Sequence, residues 1–156
     1  GQTLTKLLVQ NDIAPTVIEL NHETVAELTQ RGVIAIYGDA AQDGVLEAAG
    51  LAHAKSLVFA ASGTPSETVI RAAKSLNPDL KILARCTYQS EVAASKAAGA
   101  DVVVSSEAEV AFAMAEHLLD EFGATPEQIA RSRDEVRAAL LLESSQGRAQ
   151  NSAGSV

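Results

Sequence analysis

The chain has 156 residues and a formal net charge of −8, from 12 Lys and Arg against 20 Asp and Glu. This charge disfavours binding to nucleic acid or to an anionic membrane surface, and an aromatic content of 3% leaves few side chains on which bases could stack. The single cysteine, Cys86, excludes an internal disulfide and is compatible with a reducing cytosol. Hydrophobic residues make up 47% of the chain, enough for a packed core, but no run approaches the ~18 apolar residues of a membrane span.

Strand-like and helix-like runs alternate along the chain. The predicted strands are 16–20, 33–37, 56–60, 80–84 and 101–104, and most are continuously apolar, which is typical of parallel strands covered on both faces. Asn21 and the segment Thr64-Pro65-Ser66-Glu67 have the composition of helix starts, and Gly32, Gly50 and Gly99 are placed where helices end. The alternation predicts an α/β fold, a Rossmann-like doubly wound parallel sheet.

The start of the chain is unusual for such a sheet. Residues 1–8 are predicted to form a helix, with Leu4, Leu7 and Leu8 on one face, and no strand precedes it. In the common doubly wound order the first strand lies at the centre of the sheet. We therefore expect that this chain lacks the first strand, that native sequence lies upstream of Gly1, and that the sheet is split into two strands and three. The alternative is a genuine N-terminus at Gly1.

A nucleotide site is predicted from the ends of the first two elements. If Gly1 is the last glycine of a G-x-G-x-x-G turn, the N–H groups at the start of the first helix face a phosphate. Glu19 follows 18 residues later at the end of a strand, where an acidic residue accepts hydrogen bonds from a ribose. A carboxylate there repels a 2′-phosphate, which favours an adenosine nucleotide or NAD(H) over NADP(H). The alternative is a surface carboxylate stabilised by the helix dipole.

Further candidates follow the ends of the later strands. Gly38 leaves room for a flat ring and Asp39 offers an acceptor to an exocyclic amine, although Gly-Asp is also ordinary turn chemistry. Small residues end the next strand, and Arg85 could clamp a phosphate or pair with a nearby carboxylate. The candidate nucleotide-binding residues are Gly1, Gln2, Glu19, Leu20, Asn21, Gly38, Asp39, Ala40, Ala60, Ala61, Ser62 and Arg85.

Catalytic and metal-binding residues are not predicted. Cys86 has no histidine or asparagine partner nearby in the sequence, which favours a small buried residue over a nucleophile. The three histidines lack metal-ligand spacing. Glu107 and Glu109 could hold a divalent cation with Asp101, but carboxylates at a helix start are explained more simply by the helix dipole.

Three segments together resemble a known family. They are VIELNHETVAELTQRGVIAIYGDAAQDGVLEAAGLAHAKSLVFA, NPDLKILARC and AAGADVVVSSEAEVAFAMAEHLL. This succession resembles the TrkA-N domain, the nucleotide-binding half of the RCK domains that regulate potassium conductance, and the resemblance runs from Gly1 to about Leu119. The form is most similar to the cytosolic domains of bacterial Kef-type potassium–proton antiporters.

The resemblance implies a Rossmann domain that binds AMP, ADP, ATP or NAD(H) and gates an attached or associated membrane transporter, without enzymatic activity. Gly1 would close the phosphate turn, Glu19 would hold the ribose, Gly38 and Asp39 would lie by the adenine, and Arg85 would reach a phosphate or a dimer partner. The family also implies a homodimer at the cytoplasmic face of the bacterial inner membrane, as a soluble cytosolic domain that does not itself enter the bilayer.

The chain divides by composition into a nucleotide-binding domain at 1–122, an amphipathic helix at 123–143 and a polar segment at 144–156 that we expect to be disordered. The helix opens with the capping sequence Thr125-Pro126-Glu127-Gln128, and its apolar side is predicted to contain Ala130, Val136, Leu140 and Leu141. One alternative function is a stand-alone regulatory subunit for potassium uptake. An NAD-dependent oxidoreductase is disfavoured, because little chain remains for a substrate domain and no acid–base pair stands out.

Overall fold

Parallel strands alternate with helices in the computed structural model, which describes residues 1–42, 44–61 and 66–151, with side chains through residue 140. The strands are β1 Thr16–Glu19, β2 Ile34–Tyr37, β3 Ser56–Phe59, β4 Lys81–Cys86 and β5 Val102–Ser105. The helices are α1 Gln2–Gln10, α2 His22–Gln30, α3 Val45–Ala48, α4 Ser66–Leu76, α5 Val92–Ala98, α6 Ser106–Glu121 and α7 Pro126–Asn151. Each predicted strand is confirmed to within two residues at either end.

Local signals at the helix ends explain these boundaries. The Asn21 side chain accepts hydrogen bonds from the N–H groups of Glu23 and Thr24 at 2.9 and 3.0 Å, which confirms the predicted cap of α2. Gly99 ends α5 in the left-handed conformation, with φ of 116°, where a residue with a Cβ would be strained. The predicted cap at Thr64 and Pro65 lies outside the described residues.

The strands form two separate parallel sheets. β1 pairs with β2, and β3, β4 and β5 pair in that order. Among the described strands, none pairs with the second edge of β1 or of β3. The division into two and three strands that we expected for a sheet without its central strand is confirmed.

The core lies on one face of the three-stranded sheet. Ile70 of α4 and Ile82 of β4 are fully buried there, together with Phe59 of β3. Ile18 of β1 and Ala40, which follows β2, pack against the same cluster and so connect the two sheets. Burial of each large side chain stabilises the fold by roughly 1.5–3 kcal/mol.

The expectation that both faces are covered is wrong for this sheet. Four side chains that point away from the core, Val58, Leu83, Val102 and Val104, remain 38 to 45% exposed. Right-handed crossovers that proceed in one direction place α4 and α5 on the same face, and the residues of β4 therefore alternate between buried and exposed. A continuously apolar strand was not sufficient to predict cover on both faces.

The C-terminal helix is longer than expected. The N–H of Thr125 donates to the Gln128 side chain and the N–H of Gln128 donates to the Thr125 hydroxyl, at 2.8 and 3.3 Å, so the predicted capping box is confirmed. The backbone is helical to Asn151, although we expected disorder from residue 144, because the segment contains no proline to stop the helix. Residues 152–156 and the Leu141 side chain lie outside the description. The predicted apolar side is only partly buried, since Val136 is 47% exposed and Ala130 is also exposed.

Asp101 joins β4 to β5 at the edge opposite the carboxyl ends of the strands. Its carboxylate accepts a hydrogen bond from the Ile82 N–H at 2.8 Å and lies 3.4 Å from the ammonium groups of Lys74 and Lys81. The backbone hydrogen bond, followed by the contacts with Lys74 and Lys81, lowers the pKa of Asp101 to about 2. The folded state therefore favours the ionised carboxylate.

Replacement of Asp101 by Asn should lower the melting temperature at pH 7, because Asn keeps the acceptor for Ile82 but loses the charge. The lowered pKa means that the ionised form stabilises the fold above pH 3.8 and that this contribution is lost as the pH falls toward 2. Thermal unfolding at pH 7, 4, 3 and 2 should therefore show a gap between wild type and Asp101→Asn that closes toward pH 2. Asp79→Asn, in the exposed turn before β4, is the control. A gap that stays constant from pH 4 to pH 2 would contradict the assignment.

Candidate functional site

The predicted residues at the ends of β1 and β2 are adjacent. Glu19 and Tyr37 are register partners, and the Gly38 N–H donates to the Glu19 carbonyl at 3.0 Å. Leu20 and Asn21 follow β1, and Leu20 is 61% exposed. The parallel pairing places both strand ends at one carboxyl edge, which is where ligands of α/β sheets bind.

The Glu19 carboxylate is held by the backbone that follows it. Its Oε1 accepts hydrogen bonds from the N–H groups of Leu20 and Asn21, at 2.8 and 3.1 Å. In the described part of the chain no protein group donates to Oε2. The carboxylate is thus fixed at the edge with one oxygen available for hydroxyl donors, which is a suitable arrangement for a ribose.

Gly38 and Asp39 have local structural roles. A Cβ on Gly38 would lie 3.0 and 3.2 Å from the two Cγ atoms of Val45, so the absence of a side chain allows α3 to approach β2. The Asp39 Oδ1 accepts a hydrogen bond from the Ala41 N–H at 2.9 Å, as in an ordinary turn. Both observations favour a structural role in a turn, which was one of the two interpretations of the Gly-Asp motif. Ala40, the next residue, packs against the core.

An aromatic pair beside Glu19 was not identified from the sequence. The rings of His22 and Tyr37 are stacked, with centroids 3.6 Å apart and planes inclined by 13°. Tyr37 is 51% exposed, so the pair is open to solvent at the carboxyl edge. A tyrosine directly before Gly-Asp at a strand end, in a chain with few aromatic residues, was the available signal.

The remaining residues belong to the three-stranded sheet and to α1. Ala60 and Ala61 follow β3, and Arg85 lies in the neighbouring strand β4. The Arg85 Nε donates to the Ser106 hydroxyl at 2.6 Å, and no carboxylate in the described ranges pairs with it. Ser62 lies outside the described residues. Gly1 caps α1 without a side-chain hydrogen bond, and the first intrahelical bond runs from the Thr5 N–H to the Gly1 carbonyl. The N–H groups of Gln2 and the next two residues therefore have no acceptor in the helix and are available to a ligand.

The predicted residues therefore lie at three places: the ends of β1 and β2, the ends of β3 and β4, and the start of α1. Two cavities of the described structure lie elsewhere. One of about 380 Å³ lies between α6 and α7, lined by Glu116 and Arg133 among others, and one of about 320 Å³ lies at the amino ends of β1 and β2. The polar groups suited to a nucleotide lie at the carboxyl ends of the strands and not in these cavities.

The carboxylates considered as metal ligands do not converge. Asp101 precedes β5, whereas Glu107 and Glu109 follow its other end. Glu107 accepts a hydrogen bond from the Gln89 N–H at 2.8 Å. Both carboxylate oxygens of Glu109 accept hydrogen bonds from the Arg137 Nη2, at 2.8 and 2.9 Å. Cys86 is buried, and burial raises the pKa of its thiol, which disfavours the reactive thiolate.

Comparisons with known proteins define the family. The TrkA-N domain family matches residues 1–106. YbaL of Escherichia coli K12, named as a candidate cation/proton antiporter, is 38% identical over 119 residues, which cover 76% of this chain and 21% of YbaL. The crystal structure of the YbaL TrkA-N domain has a TM-score of 0.71, and the match covers 76% of this chain and 88% of that chain.

Two further solved structures share the fold. The AMP-bound Kef C-terminal domain of Shewanella denitrificans is 22% identical, with a TM-score of 0.78 over 93% of this chain and 92% of that chain. The GsuK channel bound to NAD is 23% identical, with a TM-score of 0.60 over 66% of this chain and 19% of that chain.

The family match over most of the chain, together with the parallel sheets and the 38% identity to YbaL, shows that this chain belongs to the TrkA-N domain family and has its Rossmann-like fold. The chain spans about a fifth of the length of YbaL. Within the described residues, no helix is both long and apolar enough to cross a bilayer.

The contact between Gly38 and Val45 can be tested by stability measurements. Gly38→Ala should lower the free energy of unfolding by about 1–3 kcal/mol, because the added methyl group overpacks the contact. Val45→Ala removes the two Cγ atoms, so the double variant should be more stable than the sum of the single effects predicts. Urea unfolding of the four proteins measures this coupling, and strictly additive effects would show that the contact is not the reason for glycine at this position.

Proposed function

We propose that this chain is the nucleotide-sensing regulatory domain of a membrane transporter for monovalent cations, and that its effector is AMP or another adenine nucleotide, with NAD(H) as a further candidate. The observation that carries the proposal is the Glu19 carboxylate, fixed at the carboxyl edge by two backbone N–H groups with one oxygen available. The Kef domain of Shewanella denitrificans, which has the same fold, is named as AMP-bound, and the GsuK channel as NAD-bound. Both names support an adenine-containing ligand for this fold.

Glu19 would determine ligand selectivity through its contacts with the ribose. A carboxylate accepts hydrogen bonds from both ribose hydroxyls, and each such bond contributes roughly 1.5–3 kcal/mol. A 2′-phosphate would bring two negative groups together in the same place. We therefore expect AMP, ADP, ATP and NAD(H) to bind in preference to NADP(H).

Arg85 would connect the ligand to the rest of the molecule. Its guanidinium bonds to Ser106, the first residue of α6. A phosphate held by Arg85 and by the N–H groups after Gly1 would compete with Ser106 for this guanidinium. Binding of the nucleotide would thus alter the position of α6, and a coupling of about 1–3 kcal/mol would be typical of an allosteric site.

The domain would regulate a transporter in the bacterial inner membrane. Two copies of the domain would act together at the cytoplasmic face of that membrane. YbaL, which is 38% identical in the matched region, is named as a candidate cation/proton antiporter, and this supports an antiporter over a channel. A regulatory subunit separate from its transporter is the second arrangement compatible with the domain. We propose no catalytic role, since the thiol of Cys86 is buried and its pKa is raised.

Replacement of Glu19 by Ala should weaken AMP binding by about tenfold or more, because the ribose hydroxyls lose their charged acceptor. Isothermal titration with AMP, NADH and NADPH measures the effect. Glu27→Ala, an exposed carboxylate on α2, is the matched control and should bind AMP as the wild type does. Wild type that binds NADPH more tightly than NADH, or an unchanged AMP affinity in Glu19→Ala, would refute the role of Glu19.

Replacement of Arg85 by Gln should weaken AMP binding without affecting adenosine, because only AMP has a phosphate for the guanidinium to bind. Ser106→Ala keeps the guanidinium and removes its protein partner, so this variant should bind AMP at least as tightly as wild type. Titration of both ligands against the three proteins gives the comparison. An equal loss of adenosine and AMP binding in Arg85→Gln would show that the residue acts on the fold instead.

A further inference from the structure

Polar contacts at its first turn join helix α6 to the three-stranded sheet. None of the 16 residues of α6 is buried, so the helix inserts no side chain into the core. Further along the helix, Glu109 and Glu116 pair with arginines of α7 and not with the sheet. The position of the start of α6 relative to the sheet therefore depends on the hydrogen bonds near Ser106.

Two residues in the first turn of α6 make these hydrogen bonds. The Ser106 hydroxyl accepts a hydrogen bond from the Arg85 Nε at 2.6 Å. Glu107 bonds twice to the loop that follows β4: its backbone N–H donates to the Thr87 carbonyl at 3.1 Å, and its Oε2 accepts from the Gln89 N–H at 2.8 Å. We call these two hydrogen bonds of Glu107 the loop anchor.

The loop to which Glu107 is bonded is itself fixed at both ends. The Glu91 Oε2 accepts hydrogen bonds from the N–H groups of Thr87 and Tyr88, at 2.8 and 3.0 Å. The Cys86 thiol donates to the Tyr88 carbonyl at 3.3 Å. Cys86 ends β4 and Glu91 directly precedes α5, so the loop is tied to both elements. It therefore provides Glu107 with a fixed attachment point beside Arg85.

We infer that Glu107 is a positioning residue, which through the loop anchor holds the Ser106 hydroxyl beside Arg85. A hydrogen bond between groups that are already held in place costs less conformational entropy, and bonds in one network are coupled. Glu107 would thus strengthen the bond between Ser106 and Arg85, with which a phosphate must compete for the guanidinium. This role rests on the proposed function, because that function assigns the phosphate to Arg85, and it adds a residue that regulates the affinity.

The helix dipole offers a different explanation for a carboxylate at this place. It favours negative charge in the first turn of a helix, and both Glu107 and Glu109 lie in the first turn of α6. Glu109, however, bonds to Arg137 of α7, whereas Glu107 bonds to the Gln89 N–H. The dipole acts on both carboxylates, so Glu109 is a matched control for Glu107.

Titrations with AMP and adenosine test the role of Glu107. Glu107→Ala removes the side-chain bond of the loop anchor, so it should raise the affinity for AMP about threefold or more and leave the affinity for adenosine unchanged. Glu107→Gln removes the charge but keeps an acceptor for the Gln89 N–H, and it should bind AMP as the wild type does, as should Glu109→Ala. An unchanged or lowered AMP affinity in Glu107→Ala, or an equal gain in either control, would overturn the role. Circular dichroism verifies that each variant folds.

A second substitution shows whether Glu107 acts through Ser106. In a Ser106→Ala background, Glu107→Ala should have no further effect on AMP affinity, because the hydroxyl that it positions is absent. A general effect on the structure of α6, or on the charge near the phosphate, would give the same change in both backgrounds. Additive effects of the two substitutions would therefore contradict the inference.

A measurement without ligand separates this inference from the proposed function. Solvent exchange of the Arg85 Nε–H, followed by ¹⁵N NMR, should be at least about threefold faster in Glu107→Ala than in wild type and unchanged in Glu109→Ala, because a weakened hydrogen bond opens more often. Equal rates in wild type and Glu107→Ala would refute the positioning role even in a protein that binds AMP. Faster exchange in a protein that binds no purine nucleotide would support the positioning of Ser106 and refute the ligand proposal alone.

Discussion

Parallel pairing of the strands is the constraint on which the candidate site depends. Every β–α connection in a parallel sheet returns the chain to the same edge, so the loop after each strand begins beside the loop after its neighbour. The hydrogen bond from the Gly38 N–H to the Glu19 carbonyl is the last contact of this pairing between β1 and β2. In a differently paired sheet Glu19 and Tyr37 would be separated, and no carboxylate would be fixed beside an open aromatic pair.

The three-stranded sheet has a cationic side chain near its own carboxyl edge. Arg85 lies in β4, while its hydrogen-bond partner Ser106 begins α6. A charged group suited to phosphate is therefore also part of the junction that sets the direction of α6. The α6 helix exposes apolar side chains on one side and is paired to α7 by arginine–glutamate contacts on the other.

The sequence was sufficient to predict the strands, the α2 cap, the capping box of α7 and the division of the sheet, because each depends on local periodicity or on a short motif. It was not sufficient to predict which strand faces are covered by helices: Leu83 belongs to the apolar run Ile82-Leu83-Ala84 and is nevertheless 38% exposed. Whether a strand face is covered depends on where the crossover helices pack, and that is a property of the whole fold. The length of α7 was underestimated for a related reason, since polar composition indicates exposure and does not by itself stop a helix.

The candidate site was predicted in outline but not in its contacts. Glu19 and Arg85 were identified from their positions at strand ends, which periodicity defines. The contact of Gly38 with Val45 and the stacking of His22 on Tyr37 both join different elements, and no spacing in the sequence encodes them. The sequence indicated a phosphate or a carboxylate as the partner of Arg85, whereas the observed partner is the hydroxyl of Ser106, 21 residues further along the chain.

The central claim is that an adenine nucleotide binds across the carboxyl edges of both sheets. Backbone amide chemical shifts, recorded by ¹⁵N NMR during titration with AMP, test it most directly. We predict that the largest changes occur at Leu20, Gly38 and Ala61, with little change at Gly32 and Leu80 on the opposite edge. Changes confined to that opposite edge or to the groove between α6 and α7, or no change at saturating AMP, would contradict the claim.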